Sequence, residues 1–197
     1  MYVEIIDNIL DEKTLKLVDS ELDNITWNKE FTRVGSLMLE NNDIESLPVM
    51  ASLYMKFSTP SFLKNLSEKL GVEGICPDPY MIGAGYSEIK NNNDLKPHVD
   101  FNWNDDLKLH RIASLIIYLT DIDSGGELEF ENKIRFKPSR NRAILFEHSE
   151  DIRHWVNPTK ETRRCVRFFY YASKLNPPQG YHRSLYGYKD GTPIDIK

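Results

Sequence analysis

Lys96-Pro97-His98-Val99-Asp100-Phe101-Asn102 sets a histidine and an aspartate one residue apart, inside a run from Leu95 to Asn102 that reads as strand. Successive strand side chains point to opposite faces, so His98 and Asp100 share a face and could grip one ion. Around this run the chain changes texture. Short strand-like segments are predicted at Tyr80 to Ile82, Tyr86 to Lys90, Ile112 to Thr120, Glu127 to Glu131, Lys133 to Lys137, Ala143 to Glu147, His154 to Asn157 and Arg164 to Ala172. Many short strands in series, following helices, suggest a sandwich, barrel or jelly roll.

The helices come first. Tyr2 to Ile6 alternates as a short strand, and Asp11 then caps a predicted helix reaching about Leu22, with Leu15, Val18 and Leu22 as its apolar stripe. Thr59-Pro60 opens a second helix and Gly71 closes it, with Phe62, Leu63, Leu66 and Leu70 on one side. Between Trp27 and Met50 the signal is weak; a strand near Val34 to Leu39 and a turn at Asn41-Asn42-Asp43 are the readings. Leu175 to Lys197 reads as a loop-like tail, packed or serving as a lid. No internal repeat or linker divides the chain, so one domain is expected. Residues 1–75 would be helical support, 76–173 a β core and 174–197 the tail or lid.

Two ligands need a third. Of the five histidines, His110 lies in a charged stretch and His148 in an acidic turn, and both read as surface residues; His182 is in the tail. His154 opens a short strand and is followed by arginines, and it gains weight because His98 and Asp100 require a partner. Two imidazoles and a carboxylate on one side of an ion form the facial triad of non-haem Fe(II) oxygenases, with positions left open. Arg163 follows His154, and on a strand Arg163, Cys165, Arg167 and Phe169 face one way. A guanidinium takes a carboxylate in two parallel hydrogen bonds, which suits the far end of a dicarboxylate.

These segments together resemble the 2-oxoglutarate- and Fe(II)-dependent dioxygenases, in their prolyl 4-hydroxylase-like branch. The likeness rests on Pro77-Asp78-Pro79-Tyr80, Leu95 to Asn102, Ile116-Ile117-Tyr118-Leu119-Thr120, Gly125-Gly126-Glu127-Leu128-Glu129-Phe130, Asn141 to Phe146 and His154 through Tyr171. It spans roughly residues 59 to 173. The resemblance implies an α+β, mainly β fold: a double-stranded β-helix (jelly roll, cupin-like) core with N-terminal supporting helices. It implies His98, Asp100 and His154 as iron ligands and Arg163 as the partner of the far carboxylate of 2-oxoglutarate. Tyr118 matches a tyrosine that contacts the same carboxylate in some relatives, and reads equally well as a core aromatic. Relatives often have a hydroxyl two places after the arginine, where this chain has Cys165. Arg167 and Arg111 are candidate substrate contacts. Gly125-Gly126 is a turn on any reading.

The activity implied is hydroxylation of a prolyl residue in a peptide or protein, or of a free amino acid. It would be coupled to decarboxylation of 2-oxoglutarate to succinate and CO2, with Fe(II), dioxygen and ascorbate as a candidate reductant. Asp100 favours hydroxylation over halogenation, because halogenases leave that position small. A cupin-like metal-binding module or isomerase without redox turnover is one alternative, and an oxygenase acting on a nucleobase another. A formal charge of -5 over 197 residues argues against a nucleic-acid partner and leaves small molecules or peptides. Cys76 and Cys165 are too few for a disulfide scaffold, and the acidic start Met1 to Asp7 lacks the basic, apolar character of a signal peptide. With no apolar run of membrane-spanning length either, a cytoplasmic location is expected.

Overall fold

Strand β1 (Val3–Asp7) and helix α1 (Glu12–Asp23) open the chain, followed by β2 (Lys29–Arg33), β3 (Ser36–Asn41), α2 (Pro48–Lys56) and α3 (Pro60–Leu70). The rest is strand and turn: β4 (Cys76–Pro77), β5 (Gly85–Ile89), β6 (Leu95–Val99), β7 (Trp103–Asn104), β8 (Leu109–Tyr118), β9 (Leu128–Phe130), β10 (Arg135–Phe136), β11 (Arg142–Glu147), β12 (His154–Val156), β13 (Arg163–Ala172) and β14 (Leu185–Tyr186). This computed structural model describes residues 1–33, 36–90, 92–149, 151–173 and 185–186, with the backbone alone at 29–33, 36 and 185–186.

The strands form two antiparallel sheets. The larger runs β1-β11-β8-β13-β5-β3-β2, with β4 on β13 and β7 on β8; the smaller runs β10-β9-β12-β6-β14. Central strand β8 is buried from His110 to Tyr118, because both of its faces are covered. On one face Leu115 and Ile117, with Leu145 of β11 and Val166 and Phe168 of β13, pack under Leu15, Val18, Met50, Leu53 and Leu66 of the helices. On the other face Ile116 and Tyr118, with Ile144 and Phe146, meet Leu128, Phe130, Phe136 and Val156 of the smaller sheet. Three layers result, helices on sheet on sheet. The sheet pair is the double-stranded β-helix expected.

The expected helix signals operate locally. The Asp11 carboxylate accepts the Thr14 N–H at 2.8 Å, the Thr59 hydroxyl accepts the Phe62 N–H at 3.3 Å, and Gly71 ends α3 in the left-handed region at φ 64°. Helix α2 was not foreseen. Its N-cap position is Leu47, which has no side-chain oxygen, and the cap comes from α1: Glu21 accepts the N–H groups of Val49 (2.7 Å) and Met50 (2.9 Å). Tyr86 of β5 donates to the same carboxylate at 2.8 Å.

Three strand expectations are corrected. Tyr80 to Ile82 is a turn, because buried Asp78 accepts the N–H groups of Tyr80 and Ile82 and Met81 sits at φ 50°. Lys133 to Lys137 shortens to Arg135–Phe136, and the run from Leu95 stops at Val99. The strand near Val34 to Leu39 is β3, entered from β2, although Val34 and Gly35 lie outside the described residues. The tail or lid reading of 174–197 also lies outside them, apart from β14, which pairs with β6 at Val99 and His98.

Candidate metal centre and its cavity

Strands β6 and β12 bring the first two side chains together by register. His154 sits opposite His98, and Val156 opposite Leu95, so β6 carries one extra residue between those pairs. That bulge falls at Lys96-Pro97, where a proline with no N–H to donate is tolerated. Across it the His98 ring lies 2.7 Å from the Lys96 carbonyl through Nδ1. A carbonyl only accepts, so Nδ1 is the donor there and Nε2 is the ring atom turned toward Asp100.

Asp100, just past the end of β6, completes the group. Its Oδ1 is 3.5 Å from His98 Nε2 and its Oδ2 is 3.6 Å from His154 Nε2, while the two rings lie 4.4 Å apart. The ligand atoms of all three fall within 4.8 Å of one another. Behind them stands Arg111 of β8, which donates from Nη2 to Asp100 Oδ2 at 2.9 Å and to the Ser114 hydroxyl at 2.9 Å. Its guanidinium lies 3.4 Å from the centre of the Phe169 ring and 4.8 Å from that of Phe101.

The charges suit a cation. Burial opposes ionisation of Asp100, but Arg111 foremost, then His154 and His98, outweigh it and hold the carboxyl well below its usual range. Burial, with His98 beside it, pushes His154 down to about 3, so its imidazole is neutral. Ionised carboxylate and neutral imidazoles are the forms that bind metal. One nearby expectation fails: His110 and His148 are both only 6% exposed, not surface residues. His110 packs edge-on against Trp103, and the backbone N–H of His148 donates to Ile112.

The triad lies on the wall of a cavity between the sheets, of about 500 Å³ counting its open mouth. Arg163, Cys165, Arg167 and Phe169 all face it, as strand alternation requires. Arg163 is buried and donates from Nε to the Gly126 carbonyl at 3.0 Å, with Nη1 3.7 Å from Cys165 Sγ. Gly126 is held close by its neighbour Gly125, where an added Cβ would lie 2.0 Å from the Pro158 carbonyl oxygen. Tyr118 is fully buried with its ring 5.0 Å from the Arg163 guanidinium, and is not on the cavity wall. Its hydroxyl has no hydrogen-bond partner among the described residues. Burial raises its pKa, with Arg163 opposing.

Several wall residues carry no signal in the local sequence. Ser87 of β5 puts its hydroxyl 3.0 Å from Cys165 Sγ, close to the hydroxyl that the Cys165 position lacks. Met38 of β3 lines the cavity, and buried Glu40 pairs with Arg167. These contacts join residues far apart in the chain, which only the sheet order brings together.

The sequence profile described as the 2OG-Fe(II) oxygenase superfamily matches residues 84–171, the stretch holding His98, Asp100, His154 and Arg163. No curated protein sequence matches the chain. Among solved structures it is similar to a viral collagen prolyl hydroxylase from Paramecium Bursaria Chlorella virus-1 in a 2OG complex, at 19% identity and TM-score 0.62, covering 88% of this chain and 97% of that one. A Trichoplax adhaerens prolyl hydroxylase, in complex with a hypoxia inducible factor peptide fragment, is similar at 18% identity and TM-score 0.62, covering 86% and 83%. A Pseudomonas putida prolyl-4-hydroxylase is similar at 14% identity and TM-score 0.59, covering 87% and 92%. These likenesses are of fold, and the profile match falls on residues 84–171, the strands that build most of the cavity.

Proposed function

We propose that His98, Asp100 and His154 hold the iron, that Arg163 takes the far carboxylate of 2-oxoglutarate, and that the chain hydroxylates a prolyl residue in a peptide or a free amino acid. The observation that carries the reading is the cluster of two imidazoles and one ionised carboxylate on the same cavity wall as a buried arginine. The donor set fits Fe(II), since imidazole nitrogen and carboxylate oxygen are its usual ligands. When bound, iron with 2-oxoglutarate and dioxygen supplies the oxidising chemistry. The protein's own residues orient and exclude. Lys96 orients the His98 ring, Arg111 fixes Asp100, and the Gly126 carbonyl braces Arg163, while Phe146, Val156 and Ile116 keep the wall apolar. The prolyl assignment is supported by the names of the structural neighbours; a free amino acid is the companion reading.

No helix among the described residues is long and apolar enough to cross a membrane, and the unpaired thiols of Cys76 and Cys165 fit the reducing cytoplasm. The test uses Mn(II) in place of Fe(II) with N-oxalylglycine in place of 2-oxoglutarate. At 100 times its dissociation constant a ligand stabilises the folded state by about 2.7 kcal/mol, read as a rise in Tm. The further rise on adding N-oxalylglycine should require the metal and vanish in Arg163→Gln. A cupin-like module would respond to the metal with no further rise on adding N-oxalylglycine, and that result would reject the oxygenase site.

A further inference from the structure

Among the described residues three arginines face this cavity, yet a dicarboxylate co-substrate needs one of them at its far end. Arg111 is committed to Asp100 and Ser114. Arg167 remains. Its cross-strand neighbour on β5 is Gly85, which has no side chain to intervene, so the guanidinium reaches over to Glu40 on β3. Nη2 donates to Glu40 Oε1, and Nη1 has only the Met38 thioether, 3.8 Å away. Nε is buried, and no hydrogen-bond partner meets it among the described residues. That atom is closed off from the cavity, so Nη1, whose neighbour among the described residues is a weakly accepting thioether, is the donor on the wall that an acceptor would satisfy.

Charge says what kind of acceptor. Arg111 is balanced by Asp100 and Arg167 by Glu40, leaving Arg163 as the one uncompensated charge among the ionisable side chains that the described residues give the wall. Adding a divalent cation and a dianionic co-substrate leaves that single positive charge in place. One further carboxylate neutralises the loaded cavity, whereas the interior of a peptide brings no charge.

We propose that Arg167, held by Glu40, is a specificity-determining residue that binds the carboxylate of a small monocarboxylate substrate, such as a free amino acid or its N-acyl derivative. This rests on the metal and co-substrate reading above and narrows its substrate. Glu40 makes the arginine selective as well as charged, since it fixes the guanidinium plane and leaves Nη1 for the ligand.

The test is a thermal-shift and calorimetric titration of the full chain loaded with Mn(II) and N-oxalylglycine. The probes are the free amino acids, their N-acetyl derivatives, and the C-terminal amide of each. At least one acid should bind while its amide binds tenfold or more weakly. Arg167→Gln should abolish that preference yet keep the N-oxalylglycine shift. The double variant Glu40→Gln/Arg167→Gln, which leaves no buried charge unpaired, should behave likewise and covers the case of a single variant that does not fold. Equal binding of acid and amide, or no binding by any acid, overturns the proposal. Loss of N-oxalylglycine binding in both variants also overturns it, because Arg167 would then serve the co-substrate. A wild-type protein that ignores Mn(II) with N-oxalylglycine fails at the earlier step, so the two readings fall separately.

Discussion

At the scale of single residues, Arg111 should couple the proposed metal centre to stability. It is buried, donates to Asp100 Oδ2 at 2.9 Å, and lies over Phe169. Removing one partner of a buried ion pair typically costs about 3–5 kcal/mol, because the other charge is left uncompensated. Losing an outer-shell partner typically weakens metal binding by about 10–100-fold. Arg111→Gln should show both effects, in the urea midpoint and in a Mn(II) titration. A variant with unchanged metal affinity would show that Asp100 is oriented by the histidines alone. Much of this centre was legible beforehand. His98 and Asp100 share a face through strand alternation, and Arg163, Cys165, Arg167 and Phe169 share another for the same reason. Arg111's contact with Asp100 was not legible, since nothing in the local pattern aims β8 at the residue after β6. Nor was the burial of His110 and His148, whose polar neighbours in sequence are not their neighbours in space.

Among the elements, α2 separates what local sequence specifies from what the fold adds. Helices α1 and α3 announce themselves through Asp11, Thr59 and Gly71, each acting within its own turn. Helix α2 begins at Pro48 with Leu47 at its cap position, and borrows a carboxylate from the preceding helix. Glu21→Ala should therefore destabilise α2, a helix that does not contain it. Loss of a cap typically costs about 0.5–2 kcal/mol, and the orphaned Tyr86 hydroxyl adds about 1–3 kcal/mol. Hydrogen exchange should show the Val49 and Met50 amides losing protection before those of α3; equal protection in the variant would mean that Pro48 and packing suffice. The turn at Tyr80 to Ile82 makes the same point in reverse. Its residues suit a strand, but Asp78 claims two of their amides.

For the molecule as a whole, the three-layer order was readable from many short strands behind two helices, whereas the sheet order was not. Strands β1, β3 and β2 join the larger sheet from the N-terminal part, and this delivers Met38 to a cavity built mostly by residues after 84 and Glu40 to Arg167 on its wall. The same sheet holds a buried carboxylate on its other face, paired with two partly exposed cations. Glu88 lies 2.7 Å from Arg164 Nε and 2.7 Å from Lys90 Nζ. Burial opposes its charge, but Lys90 and Arg164 prevail and hold its carboxyl below the ordinary value. A depressed carboxyl contributes stability above its unfolded pKa, near 4.3, and loses it as pH falls through the folded value. Stability from urea unfolding should thus decline from about pH 5 downward, and Glu88→Gln should be less stable at pH 7 with a flatter acid limb. Parallel acid limbs would place that loss in other carboxylates.

The β14–β6 pairing has a consequence for solubility. Leu185–Tyr186 lies antiparallel along Val99 and His98, making β14 the last strand of the smaller sheet on that side among the described residues. Unpaired strand borders are templates for intermolecular pairing. Docked there, β14 covers the His98–Val99 border of β6, so a chain ending after residue 173 would present that border to other molecules and invite self-association through the very strand that carries His98.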